Sequence, residues 1–193
     1  MNQIDRLLAA LLWLLAVLAI AGITHIAAIF ALPEIAAKDT SARISELAKP
    51  GKLTLLPAAG ANKQVIPFAD PAMVESVCPF DLSQGDLRLH ADVEGGRLLT
   101  FSFRTSDGQV FYSMTDRAAQ QGKIDVVVLT AAQLEIVEAE DDEDDPSQDL
   151  RLIAPEPRGF VIVSALAVYQ SDRADAEERV KSVVCAVEQV AQN

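Results

Sequence analysis

Few residues in this 193-residue chain have the types and spacing to do chemistry. In Phe111-Tyr-Ser-Met-Thr-Asp-Arg an aromatic pair precedes Asp116-Arg117. At a strand end, Tyr112, Asp116 and Arg117 could converge on a small ligand as phenol, carboxylate and guanidinium. The plainer reading keeps Phe111 in the core and ends the strand in a turn tied by an Asp–Arg pair. The acidic run from Glu138 to Asp149 sets Asp141, Glu143 and Asp145 at alternate positions, as oxygen ligands for calcium could be. It lacks the glycine and spaced terminal Glu of an EF-hand. A solvated acidic loop between two strands is therefore the expectation, and no metal ligand is assigned.

The chain has two histidines. His25 lies in an apolar run beside Thr24, and reads as a neutral side chain near a membrane interface. His90 falls on the polar side of an alternating segment between Arg88 and Asp92, which reads as exposed surface. There is no Gly-x-Ser-x-Gly elbow, His-Glu-x-x-His, phosphate-cradling glycine loop or Cys-x-x-Cys. No catalytic residue and no cofactor is assigned.

The elements that would position these residues begin with a membrane anchor. Between Leu7 and Leu32 the chain carries no formal charge for twenty-six residues, and about twenty apolar residues cross a hydrocarbon core. A signal peptide cleaved after Ala21 is the competing reading. The apolar run continues past Ala21 to Leu32, which favours an uncleaved anchor inserted in the bilayer. Lys38, Arg43, Lys49 and Lys52 follow the span, and Arg6 precedes it. By local charge alone the domain would stay inside. Long domains translocate largely regardless of charge, so the expected topology is single-pass in a bacterial inner membrane, with the C-terminal domain in the periplasm.

From residue 64 onward there are ten Lys/Arg against twenty-four Asp/Glu, a balance of −14. Such a domain is repelled by nucleic acid and by anionic headgroups, so nucleic-acid binding is excluded. The expected organisation is an anchor at 1–32, a helical stalk at 33–51 and a β-rich domain at 52–193.

Within that domain, 52–56 reads as a short strand, and Asp70-Pro71 reads as the cap of a short helix reaching Val77. Alternation of apolar residues marks strands at 87–93, 98–104 and 110–114, the last two joined by a Ser106-Asp107-Gly108 hairpin. More continuous apolar runs mark strands at 124–129, 150–153 and 159–168. Strands follow strands, so the expected fold is mainly β, an antiparallel meander or sandwich in the α+β class. A C-terminal helix from Ser171 to Val190 should pack on the sheet through Ala176, Val180, Val183, Val184 and Val187.

On that helix Cys185 would fall opposite the apolar stripe. Cys78 precedes Pro79 in what reads as a loop. A loop crossing the outer helix face would let Cys78 and Cys185 form a disulfide, and an exported domain makes the bond chemically reasonable.

The segments Pro67-Phe-Ala-Asp-Pro71, Cys78-Pro-Phe-Asp-Leu82 and Gly108-Gln-Val-Phe-Tyr-Ser-Met-Thr-Asp-Arg117, with a late cysteine after a buried strand, resemble a family of bacterial domains of unknown function. Small members of that family are single-span inner-membrane proteins. Related domains occur in larger soluble proteins, joined to a second β-rich domain. The resemblance covers nearly the whole chain. It departs at Thr115, where members often carry Asn. It implies a mainly β fold and an envelope location, and supplies no catalytic residues. The functional expectation is a non-enzymatic envelope module that binds a ligand or a membrane-anchored protein partner. The alternative is an envelope enzyme acting on a glycan or lipid through carboxylates and Tyr112.

Overall fold

The computed structural model describes residues 2–59, 65, 66, 69–140 and 149–188. The chain divides into two compact units, Met1–Lys38 and Asp39–Asn193. Helix α1 covers Gln3–Leu47 and runs through Pro33. Its segment Gln3–Leu32 is long and apolar enough to cross a membrane.

The second unit is mainly β, built from two sheets. The strands are β1 (Thr54–Leu55), β2 (Met73–Asp81), β3 (Asp86–Asp92), β4 (Leu99–Thr105), β5 (Val110–Thr115), β6 (Lys123–Leu129), β7 (Leu150–Ile153), β8 (Arg158–Leu166) and β9 (Val184–Glu188). Sheet A has the order β1-β2-β8-β4-β5, and sheet B the order β7-β6-β3-β9. Inward residues of both sheets share one core. Val74, Cys78 and Phe80 of β2, Phe101 and Phe103 of β4, and Val161 and Val163 of β8 meet Leu87 and Leu89 of β3 and Val126 and Val128 of β6. A smaller cluster covers the outer side of sheet A. There Ile44 and Ala48, at and just beyond the end of α1, bury Val77, Phe160 and Ile162 with Leu56.

Every strand pair is antiparallel except β6–β7, which is parallel. A parallel neighbour needs a crossover of a dozen or more residues. Helix α2 (Ala131–Glu140) opens that crossover and takes in Glu138 and Glu140, the first acids of the run expected as a loop. Thr130 and Gln133 cap α2 reciprocally: the Gln133 N–H donates to Thr130 Oγ1 at 3.3 Å, and the Thr130 N–H donates to Gln133 Oε1 at 2.8 Å. Asp141, Glu143 and Asp145 lie outside the described residues.

Two expected helices are corrected. Asp70-Pro71 starts a single turn, with the Asp70 carboxylate accepting the Ala72 N–H at 2.8 Å, and the chain then enters β2. Alternation of Val74, Ser76, Cys78 and Phe80 on the inner face outweighs the local cap. Cys78-Pro79 is therefore strand, not loop. Pro79 fits because its carbonyl accepts the Gly51 N–H at 2.8 Å. That bond places its missing N–H on the side away from β8, where proline is tolerated.

The C-terminal helix ends early. Helix α3 covers Arg173–Lys181, and β9 replaces its expected second half. The first half, Arg-Ala-Asp-Ala-Glu-Glu-Arg-Val-Lys, is rich in helix formers. Val183, Val184 and Val187 are β-branched and pack better on a pleated surface. Ala176 and Val180 of α3 join the core among the inward residues of β2 and β8.

At Gly159 the strands approach too closely for a side chain. A Cβ there would lie 2.3 Å from the Arg104 carbonyl oxygen and 2.6 Å from the Phe80 ring. Cys78 on β2 and Cys185 on β9 form a disulfide with a Cα separation of 6.6 Å, joining sheet A to sheet B. The bond was expected from a helical wheel. It forms between strands instead, because β9 pairs Cys185 with Leu89 and turns it into the core.

Candidate functional site

Tyr112, Asp116 and Arg117 are strung along one strand and the turn after it. Tyr112 lies on β5 opposite Phe103, with ring centroids 6.1 Å apart and planes tilted by 55°. Asp116 and Arg117 begin a short 3-10 turn, where the Arg117 N–H donates to Thr115 Oγ1. Four strand steps of about 3.3 Å separate Tyr112 from Asp116, about 13 Å in all. The Asp116 carboxylate accepts the Leu99 N–H at a long 3.5 Å. Among the described residues there is no Asp116–Arg117 ion pair, and the Tyr112 hydroxyl and Arg117 guanidinium have no partner. One copy of the chain does not bring the three groups together.

His90 does have a partner, which the sequence did not reveal. Its Nδ1 lies 2.5 Å from Asp125 Oδ1 on β6, directly across the β3–β6 ladder, and its Nε2 lies 3.7 Å from Asp92. The hydrogen bond to Asp125 raises the imidazole above its ordinary range, more than its slight burial lowers it. A base paired with a carboxylate is two-thirds of a hydrolytic triad. The third member is missing among the described residues: beside His90 and Asp125, the walls of this shallow cavity carry Val127, Val184 and Ala186 rather than a hydroxyl or thiol. Further along, Arg88 binds Asp86 at 3.2 Å and Glu188 at 3.0 Å.

Two adjoining cavities, of about 470 and 380 Å³, lie between the β3–β4 connection and α3, and share Arg97, Asp175 and Arg179. Asp175 accepts from Arg97 Nη1, and from Arg179 Nε at 3.0 Å. Arg179 also donates from Nη1 to the Leu98 carbonyl and from Nη2 to the Leu166 carbonyl, each at 3.1 Å. All three of its nitrogens are engaged, so Arg179 fastens α3 to the ends of β4 and β8. Glu94 and Glu178 stand on the wall without a partner among the described residues. Ordered charges line this opening, and on its rim the Ser171 hydroxyl donates to Asp172 at 3.1 Å.

Glu75 on the outer face of sheet A is a further perturbed carboxyl. Burial raises it, and Arg104 and the Ser164 hydroxyl oppose that shift. Alternation on β2 assigns Glu75 to a face, but only the β2–β8 register places it opposite Ser164.

No protein-family model and no curated protein matches this sequence. Solved structures do. The chain is similar to the VPA0106 protein from Vibrio parahaemolyticus at 7% identity and a TM-score of 0.53, covering 78% of this chain and 35% of that one. It is also similar to an uncharacterized protein from Burkholderia cenocepacia, at 10% identity and a TM-score of 0.43, covering 74% of this chain and 38% of that one. The first likeness is one of fold alone. The chain spans about a third of the length of the solved structures it matches.

Proposed function

We propose that this chain is a membrane-anchored module of the bacterial envelope, with its sandwich domain in the periplasm and a binding rather than a catalytic role. The observation that carries the location is the buried disulfide joining the two sheets. Structural disulfides persist in oxidising compartments and are rare in the cytosol. With the apolar segment Gln3–Leu32 as anchor, this favours a domain exported across the membrane. Membership of the envelope family that Cys78-Pro-Phe-Asp-Leu82 and Phe111-Tyr-Ser-Met-Thr-Asp-Arg117 resemble belongs to the same proposal. The binding role is supported by the fixed charges of the α3 opening and by the His90–Asp125 pair, whose cavity walls carry no hydroxyl or thiol among the described residues.

Fusions after Asn193 test the location. Alkaline phosphatase should be active there and a cytoplasmic fluorescent reporter dark, and the protein should stay in the membrane through a carbonate wash. The reverse reporter pattern would overturn the orientation, and release by carbonate would overturn the anchor. For the binding role, full-length chain purified from solubilised membranes should retain a stoichiometric partner, and its absence would count against that half of the proposal.

A further inference from the structure

Among the described residues strand β5 is a free edge of sheet A. The other sheet edges differ from it. β1 has two residues, β7 carries Arg151, and β9 ends in Glu188 held by Arg88. The β5 segment Val-Phe-Tyr-Ser-Met-Thr has neither charge nor proline, the usual devices that keep an edge from pairing. A bulge at Phe111 interrupts its first half, and 112–115 is regular. Val110 is 51% exposed and Tyr112 36%.

The neighbouring strands fix which backbone groups of β5 are free. The Thr105 N–H donates to the Gln109 carbonyl on the β5 side, and the Leu98 carbonyl accepts the Leu166 N–H on the β8 side. In an antiparallel ladder each residue directs its N–H and C=O the same way, and the direction alternates along the strand. Phe101 and Phe103 therefore face β5 and engage Met114 and Tyr112. Ser113 and Thr115 direct their backbone groups out of the sheet.

We propose that β5 pairs antiparallel with β5 of a second copy of this chain, about a two-fold axis at Met114. In this register Ser113 of each copy exchanges both backbone bonds with Thr115 of the other, and Tyr112 stands opposite Asp116 of the second copy. Directly opposed residues have Cβ atoms about 4.5–5.5 Å apart, near enough for a phenol to donate to a carboxylate. The Tyr112 phenol, without a partner in one copy, gains one. Symmetry supplies the arrangement twice, as an isologous contact requires. That self-complementarity selects a second copy over an unrelated strand. The strongly acidic domains meet where the edge itself carries no charge.

The test uses full-length chain in detergent. Met114→Cys under mild oxidation should give a disulfide-linked dimer, because Cys78 and Cys185 are already paired and the two introduced thiols face each other. Ile153→Cys on the β7 edge should not. Ser113→Lys in the Met114→Cys background should cut cross-linking at least tenfold while leaving the far-UV circular dichroism spectrum of the folded chain unchanged. Without introduced cysteines, the unmodified chain should sediment as a dimer and Ser113→Lys as a monomer. A monomeric unmodified chain, equal cross-linking at positions 114 and 153, or a dimer that survives Ser113→Lys would each overturn the pairing.

Discussion

Cys78 and Cys185 lie 107 residues apart in sequence and on different sheets, and their sulfurs join β2 to β9 inside the core. Among the described residues β9 pairs with one neighbour, β3, over five residues. The bond therefore holds a short edge strand that hydrogen bonding alone would hold weakly. In the chain-entropy description a closed loop of about 100 residues is worth at most about 4–5 kcal/mol. Cys78→Ala and Cys185→Ala should lower stability by similar amounts, and the double variant should fall no further than the worse single. Denaturant titration with and without reductant measures this. A midpoint indifferent to reductant would show that the bond contributes nothing.

Arg179 is the second fastener. Two of its nitrogens reach carbonyls at the ends of β4 and β8, and the third reaches Asp175. A lysine carries one nitrogen and cannot reproduce the fork. Hydrogen bonds from charged donors are worth about 1.5–3 kcal/mol each when a partner is left buried. Arg179→Lys should cost about 2 kcal/mol, and Asp175→Asn less, because it leaves both carbonyl bonds in place. Equal losses for the two variants would show that the ion pair, not the carbonyl clasp, holds α3.

The strands at 87–93, 98–104 and 110–114 were legible because alternation is a local signal and those segments contain no competing one. β2 was not, because Asp70-Pro71 serves equally as a helix cap and as a turn. β9 was hidden for a related reason. Val180, Val183, Val184 and Val187 satisfy a helical period, while Val183, Cys185 and Val187 satisfy a strand period. Over so short a window both patterns fit. The disulfide was foreseen through its two cysteines while the geometry offered for it was that of a helix. α2 had a readable signal, Thr130 and Gln133 three apart. Partners such as Asp125 for His90, or the Leu98 and Leu166 carbonyls for Arg179, depend on strand register and on how α3 packs. No local pattern encodes either.

Ser76 is 1% exposed, points to the core side of β2, and its hydroxyl has no hydrogen-bond partner among the described residues. A buried polar group left unpaired costs about 1–3 kcal/mol of desolvation. Replacing it by alanine removes that cost and leaves only a small void. Ser76→Ala should therefore raise stability by about 1 kcal/mol, where truncations in a core usually lower it. A clear loss in thermal or denaturant unfolding would mean that the hydroxyl has a bound water or another partner.

The His90–Asp125 pair gives stability a definite dependence on pH. Asp125 raises the folded-state imidazole above its ordinary value, so the folded protein holds the proton more tightly than the unfolded chain does. The contribution is fully present below the unfolded value of about 6.5, and fades as pH rises through the higher folded value. Both side chains are more than a third exposed, at 41% and 43%, so the effect is that of a surface pair, about 0.2–1 kcal/mol. Asp81 and Asp107 act in the opposite sense. Hydrogen bonds from Ser83 and Thr105 lower them, so their contribution is present above the ordinary carboxylate range and fades as pH falls through the folded values. The two windows do not overlap, which makes the histidine term separable. Asp125→Asn should flatten the decline in stability above neutral pH and leave the acid limb unchanged. If the variant shows the same slope between about pH 6 and 8 as the unmodified chain, His90 is not the group responsible.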